Sequence, residues 1–278
     1  MSLFAAVEPI LANRGLGGIA PAAAGMLVAA MLFLWGIATL RRNVSLADPF
    51  WGTGFLMVAW LARTLGEGRT PAAWLIVALT TLWGARLSLY LLWRNWGEPE
   101  DRRYAEMRRH HGDRFPWVSL VTVFLLQGLL LWIISLPIQA ALAGPATIRF
   151  PFLAGLGVLL WSVGILFESV GDWQLARFRS DPVNDLRVLD TGLWRYTRHP
   201  NYFGDFCVWW GLYFLSASTG PVWTLFSPLL MSVLLLKVSG VSLLEQTVTD
   251  RRPDYAAYQR RTSPFFPWPP KVPEENAG

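Results

Sequence analysis

The chain has 278 residues, of which 53% are hydrophobic and only 15% charged, with a formal net charge of +5 and a mean hydropathy of +0.35. Sixteen tryptophans and long uncharged runs fit an integral membrane protein far better than a soluble globule. A single cysteine, Cys207, excludes an internal disulfide and a cysteine-based metal site. The three histidines, two of them adjacent (His110, His111), lack zinc-ligand spacing, so no metal is expected.

The N-terminus has neither the short apolar core nor the A-x-A site of a cleaved signal, so it is expected to be retained. Arg14–Gly18 is glycine-rich but follows no strand pattern and reads as linker. Seven apolar segments then follow, each near the ~20 residues that span a bilayer: Ala20–Leu40, Phe50–Leu65, Ala72–Trp93, Val118–Leu142, Phe150–Phe178, Phe203–Ser218 and Val222–Leu244. The second and sixth are short, which suits tilted, partly re-entrant or cavity-lining helices. Pro137 is expected to kink or end the fourth.

With the N-terminus outside and all seven segments spanning, one side collects Arg41 and Arg42, the Arg94–Arg114 group, the Arg177–Arg198 group and the Arg251–Lys271 group. The other side holds only Arg14, Arg69 and Arg149. This positive-inside bias places the large polar loops and the C-terminus in the cytoplasm, and explains the basic charge without invoking nucleic acid. The expected fold is an all-α polytopic membrane helix bundle.

Ionisable residues inside such segments cost roughly 2.5–3.5 kcal/mol each at mid-helix unless paired or hydrated. Here they are Asp48, Arg86, Glu168, Asp172, Asp205, Lys237 and Glu245. Mutual pairing or snorkelling explains any one of them; so many in one half of the membrane argue for a shared polar cavity. Glu168, Asp172 and Arg179 lie at i, i+4 and i+11, on one helical face. That order suits a nucleotide lying along a helix end, the carboxylates accepting from hydroxyls or an amide and the arginine holding phosphate. A salt-bridged stripe facing Lys237 or Arg86 would use the same face.

The run Gly192–Asp205 packs arginines, a histidine, an asparagine, two tyrosines and a carboxylate directly before an apolar segment. Pro200 suits the first turn of a helix, which puts Arg198, His199 and Asn201 at its mouth and Asp205 about one turn inside. Unpaired N–H groups and guanidinium donors there suit an anion or cofactor; a basic juxtamembrane loop closed by a proline cap is the plainer reading. The loop from Glu98 to His111 could clamp phosphates, but reads better as a lipid-headgroup surface. Pro253–Tyr258 reads as a short amphipathic cytoplasmic helix.

Gly171–Pro182, Gly192–Trp194 and Arg198-His199-Pro200-Asn201-Tyr202-Phe203-Gly204-Asp205 together resemble the C-terminal half of the membrane steroid 5α-reductases and sterol C14-reductases, most nearly their bacterial 5α-reductase-like branch. The resemblance is good from about Leu166 to Trp268 and weak over the first 150 residues. It implies a helix bundle holding NADPH in a cytoplasm-facing pocket, hydride transfer to an activated C=C bond of a steroid, sterol or isoprenoid-like lipid, and an acidic side chain supplying a proton. It divides a single membrane domain into substrate-side helices (1–150), cofactor-binding helices and loops (151–268) and a loose tail (269–278). By the same resemblance Asp172, Arg179, Asn201 and Asp205 match cofactor-contacting positions, and Arg187, Arg198, His199 and Tyr202 lie in the same run. Glu168 stands where the 5α-reductases have an asparagine, and Glu245 lies near the family's last cofactor-binding helix. Asp48 is the counterpart of the catalytic glutamate and Arg86 of an arginine. Trp83 stands where the family has a tyrosine, which leaves Asp48 or Tyr90 as the acid. The partners implied are a lipid-like substrate and membrane lipids.

A second enzyme class shares part of the pattern. The isoprenylcysteine carboxyl methyltransferases, which use S-adenosylmethionine, have the same Arg-His-Pro-x-Tyr-x-Gly core. Asn201, Asp205, the Gln174-to-Arg179 run and the arginine density favour the reductases. A non-catalytic membrane scaffold with a reductase-like fold is the third reading. No G-x-G-x-x-G fingerprint is present, which argues against a soluble-type dinucleotide domain.

Overall fold

The computed structural model describes residues 15–238 and 254–271. Those residues are helical wherever they are regular, and among them no strand forms beyond an isolated parallel bridge between Thr197 and Ser263. The chain divides into two compact units, residues 1–154 with 212–227, and residues 155–211 with 228–278.

In the first unit, α1 (Leu16–Arg41) ends with Arg42 in the left-handed conformation, φ 52°. A capped turn follows, in which the Asn43 side chain accepts from Ser45 N, and leads into α2 (Ala47–Leu65). Then come α3 (Pro71–Asn95), α4 (Arg102–His111) and α5 (Phe115–Ser119). The last continues through a π-helical stretch, Leu120–Leu125, into α6 (Leu126–Ile134). Thr70 caps α3 and Pro71 occupies its first turn, where a missing N–H costs nothing. The rod of α6 breaks at Ser135 and resumes as α7 (Leu136–Ala143) with Pro137 in its first turn, the break that Pro137 predicts. Gln139 fills the discontinuity, its amide donating to Trp132 O and Ser135 Oγ at 3.1 and 2.8 Å.

Helices α2 and α3 cross at Gly52 and Gly84, so closely that a Cβ on Gly84 would lie 2.6 Å from Gly52 O. Such backbone approach through small residues is how helices associate where no hydrophobic effect operates. Phe55, Ile76, Trp83, Leu131, Ile134 and Ile138 form the interior around this crossing.

The second unit carries most of α8 (Pro151–Arg179), the start of α9 (Pro200–Ala217), the end of α10 (Phe226–Val233) with a further π-helical stretch, Leu234–Val238, and α11 (Tyr255–Arg261). Pro200 does begin a helix, and the tyrosine-rich stretch before Arg261 is the short helix expected of it, with Tyr255 and Tyr258 buried.

Five helices among the described residues are long and apolar enough to cross a membrane: Leu16–Arg41, Val44–Leu65, Pro71–Asn95, Arg102–Ile134 and Pro151–Arg179. They correspond to the first five expected segments. The sixth is α9, and the seventh is a shorter apolar helix, Val222–Lys237, over its described part. Large apolar side chains stand outward along these helices, with Phe33 70%, Leu40 87% and Phe152 80% exposed, a surface suited to lipid rather than water. One difference from expectation is α4: residues read as a polar loop form a helix, started by Asp101, whose carboxylate accepts from Arg103 N, and braced by an Arg102–Glu106 ion pair at 2.7 Å.

Candidate functional site

Glu168 and Asp172 are both buried, one turn apart on α8, and Arg179 is exposed at its end. What places them is a glycine seam. A Cβ on Gly164 would meet Gly204 O at 2.6 Å, and one on Gly204 would meet Glu168 N at 2.5 Å. One on Gly211 would meet Trp161 N at 2.6 Å. The order of these contacts makes α8 and the start of α9 antiparallel, with backbones nearly touching. Gly171 accordingly faces Pro200 and Asn201.

That packing brings Asn201 opposite Asp172. Its Nδ2 donates to Asp172 Oδ1 at 3.1 Å, while its Oδ1 accepts from Tyr202 N at 3.1 Å. Asn201 therefore caps the first turn of α9 with one end and holds a buried carboxylate with the other. His199 is buried and its ring stacks on Tyr202, centroids 5.7 Å apart. Asp205 lies half-buried one turn further along.

The segment before Pro200 is tied down from both ends of the unit. Gly192, at φ +60°, allows the chain to turn against Gln174, whose Oε1 accepts from Leu193 N at 3.0 Å. Trp194 donates to Gly171 O at 3.1 Å. From the C-terminal side, Tyr258 donates to Trp194 O at 2.5 Å, Phe265 O accepts from Thr197 Oγ1 at 2.7 Å, and Ser263 O accepts from Arg198 N at 2.9 Å. Burial pushes the Tyr258 phenol well above its ordinary range, so it remains a donor at neutral pH. Arg198 is used locally: its Nη1 donates to Gln259 O at 2.8 Å and Thr262 O at 3.0 Å, closing the C-terminal end of α11. Arg187 is exposed in the connecting loop, and Arg261 pairs there with Asp190. Glu245 lies outside the described residues.

The expected catalytic residues form two groups in the first unit. Arg86 lies over the ring of Tyr90 at 5.5 Å, with Arg94 on the same ring at 6.0 Å. Asp48, in the first turn of α2, accepts a 2.7 Å hydrogen bond from Tyr104 Oη and lies 3.5 Å from Arg103 Nη2. Trp83 is fully buried, its ring tilted against Phe55. The sequence signal nearest Tyr104 and Arg103 is Asp101, a helix-capping residue directly before them.

The carboxylates that hold α4 are themselves held. Burial acts to raise the Glu100 carboxyl, but a bidentate bond from Arg108 (2.9 and 2.8 Å) and the Val44 N–H (2.8 Å) outweigh it and keep it below its ordinary value. Asp101 is lowered in the same way, burial being outweighed by Arg103.

The donor set of the second unit fits a dinucleotide in kind. The two buried carboxylates can accept from hydroxyls, the amide can pair with a carboxamide, and the exposed Arg179 and Arg187 carry donors suited to phosphate. Among the described residues no group of three His, Cys, Asp or Glu is placed to hold a metal ion.

A comparison with an uncharacterised protein of Schizosaccharomyces pombe gives 26% identity over 279 residues, covering 89% of this chain and 80% of that protein. No solved structure matches. A family model, described as a protein of unknown function (DUF1295), matches residues 34–262, a span that takes in Asp48, the Tyr104 contact, the glycine seam and the whole Arg198–Asp205 run. The chain belongs to the DUF1295 family.

Proposed function

We propose that this protein is an NADPH-dependent membrane reductase that adds hydride and a proton across an activated C=C bond of a lipid-like substrate, steroid, sterol or isoprenoid in character. The observation that carries the reading is the part-buried Asp172–Asn201 hydrogen bond, with the buried Glu168 one turn away on α8, a helix long and apolar enough to cross a membrane. Carboxylates in such a place are costly unless paired or hydrated, and two of them one turn apart beside an amide suit a polar cavity that holds a ligand. In this reading all seven apolar segments span, the N-terminus lies outside and the cofactor site faces the cytoplasm.

NADPH, when bound, supplies the hydride. Asp172, Asn201 and Glu168 orient its hydroxyl and amide groups, and Arg179 and Arg187 hold its phosphates. Tyr202, His199 and Asp205 complete the mouth of α9, and Arg198 keeps that mouth closed onto α11. The proton comes from either Asp48 or Tyr90, the latter with Arg86 over its ring. Tyr104 positions the Asp48 carboxyl.

The test is ligand binding to detergent-purified protein, read as thermal stabilisation by NADPH, NADH and S-adenosylmethionine in turn. A ligand at ~100 times its dissociation constant stabilises by about 2.7 kcal/mol. Stabilisation by NADPH that is lost in Arg179→Ala and Asn201→Ala supports the reductase. Stabilisation by S-adenosylmethionine alone replaces it with a methyltransferase of the isoprenylcysteine type. A response to none leaves a scaffold.

A further inference from the structure

A cavity of about 270 Å³ opens at the end of α1, lined by Thr39, Arg42, Val44, Arg108, Phe115 and Ser119 among others. It is smaller than the ~300–1,000 Å³ of pockets that take a whole ligand, and it plays no part in the reductase reading. Its chemistry is divided. Phe115 is buried and apolar, and Arg108 lies over its ring at 4.4 Å. Arg108 spends its Nε and Nη2 on Glu100, which neutralises it. Arg42 stands exposed at the rim and makes no ion pair among the described residues.

The backbone of Arg42 is the second observation. Its N–H bonds to Thr39 O and the next N–H, from Asn43, bonds to Ala38 O, the arrangement that ends a helix through one left-handed residue. Glycine is the natural occupant of that position, because a side chain there is strained. The chain instead carries an arginine at φ 52°. Strain of this kind persists where a side chain has work to do, and ligand clamps are a common setting.

The surroundings say what the arginine faces. Trp35 donates to Pro116 O at 2.8 Å, and its ring lies 5.3 Å from that of Trp117, which is 66% exposed. Tryptophans of this sort sit at the level of lipid headgroups. One turn from Trp117, Val121 is 61% exposed, offering an apolar flank for acyl chains.

We infer that this cavity is a binding site for the phosphate of an anionic amphiphile, the headgroup seated between Arg42 and the Arg108–Phe115 stack with its chains along the exposed Trp117–Val121 flank. The volume suits a phosphodiester and its glycerol, and is too small for a dinucleotide.

The full chain in phosphatidylcholine nanodiscs, with and without added phosphatidylglycerol, tests this by thermal shift. Phosphatidylglycerol is expected to raise the melting temperature, while inorganic phosphate and glycerol 3-phosphate leave it unchanged. Arg42→Gly is expected to melt higher than wild type without the lipid, since the strained backbone is relieved, yet to bind phosphatidylglycerol about tenfold more weakly. Arg42→Asn, which also tolerates the left-handed conformation, should lose the same affinity, and Arg41→Gly should keep it. Equal stabilisation by glycerol 3-phosphate would move the site to a soluble phosphate and overturn the lipid assignment. Undiminished phosphatidylglycerol binding by Arg42→Gly and Arg42→Asn, or loss of it equally in Arg41→Gly, would overturn the site itself.

Discussion

Asn201 reaches across from the first turn of α9 to hold Asp172 on α8, a single 3.1 Å hydrogen bond that links a helix cap to a buried carboxylate. Removing the amide by Asn201→Ala leaves that carboxylate oxygen without this donor, a loss of about 1–3 kcal/mol. Chemical denaturation in detergent measures it. The same substitution, and Arg179→Ala, should weaken NADPH binding; Arg179→Ala, at an exposed position, should do so with stability nearly unchanged.

Gly204→Ala tests the seam. Its methyl would sit 2.5 Å from Glu168 N and 2.6 Å from Gly164 O, both backbone atoms, so the helices must separate. A loss of about 1–3 kcal/mol is expected. Gly155→Ala, on the same α8 with nothing within 4 Å of the added methyl, should instead gain roughly 0.5–1 kcal/mol. Opposite signs for the two substitutions are the result to look for.

Tyr104→Phe deletes the donor to Asp48 while keeping the ring, and should cost about 0.5–1.5 kcal/mol. Asp48→Asn should lower NADPH-dependent turnover of an enone lipid by about 100-fold or more, as loss of a general acid does, with NADPH affinity intact. Parallel losses of turnover and cofactor affinity would remove Asp48 from the proton path.

Glu100 gives the fold a pH dependence of known sign. Its carboxyl is held below the ordinary glutamate value of about 4.3 by Arg108 and the Val44 N–H, which outweigh burial. The unfolded chain therefore binds its proton first as pH falls. The stabilisation is complete above the unfolded value and is lost as pH drops through the lower folded one. The melting temperature of wild type should fall across this acid range more steeply than that of Glu100→Gln.

Arg198→Ala removes the nitrogen that donates to both carbonyls closing α11, and hydrogen exchange should accelerate at the Tyr255–Arg261 amides. Arg198→Lys should restore part of the protection, because an ammonium also offers several donors from one nitrogen but on a shorter, differently directed side chain.

The long helices could be read from the chain because lipid-length apolar runs announce themselves, and Pro137 and Pro200 acted where their ring chemistry requires. Asp172 and Asn201 could be placed near one another through the family resemblance. Helix α4 could not be read: its arginines, histidines and glutamate carry no apolar period, and only Tyr104 is buried on it. The Tyr104–Asp48 bond joins residues 56 apart, and Arg198 reaches carbonyls 61 and 64 residues away. No local pattern encodes such pairings; they exist only once the chain has folded back.

The ties between the Gly192–Pro200 segment and the C-terminal stretch also set a timetable. Trp194, Tyr196, Thr197 and Arg198 find their partners in Tyr258, Gln259, Thr262, Ser263, Phe265 and Trp268. A ribosome must release those later residues before the earlier segment can take its final form. Helices α8 and α9 can thus form and pair while the polar turn between them still lacks its partners. Maturation of that turn waits for residues 258–268 to emerge, and a nascent chain stalled before Tyr258 would carry the glycine seam with an unfinished mouth.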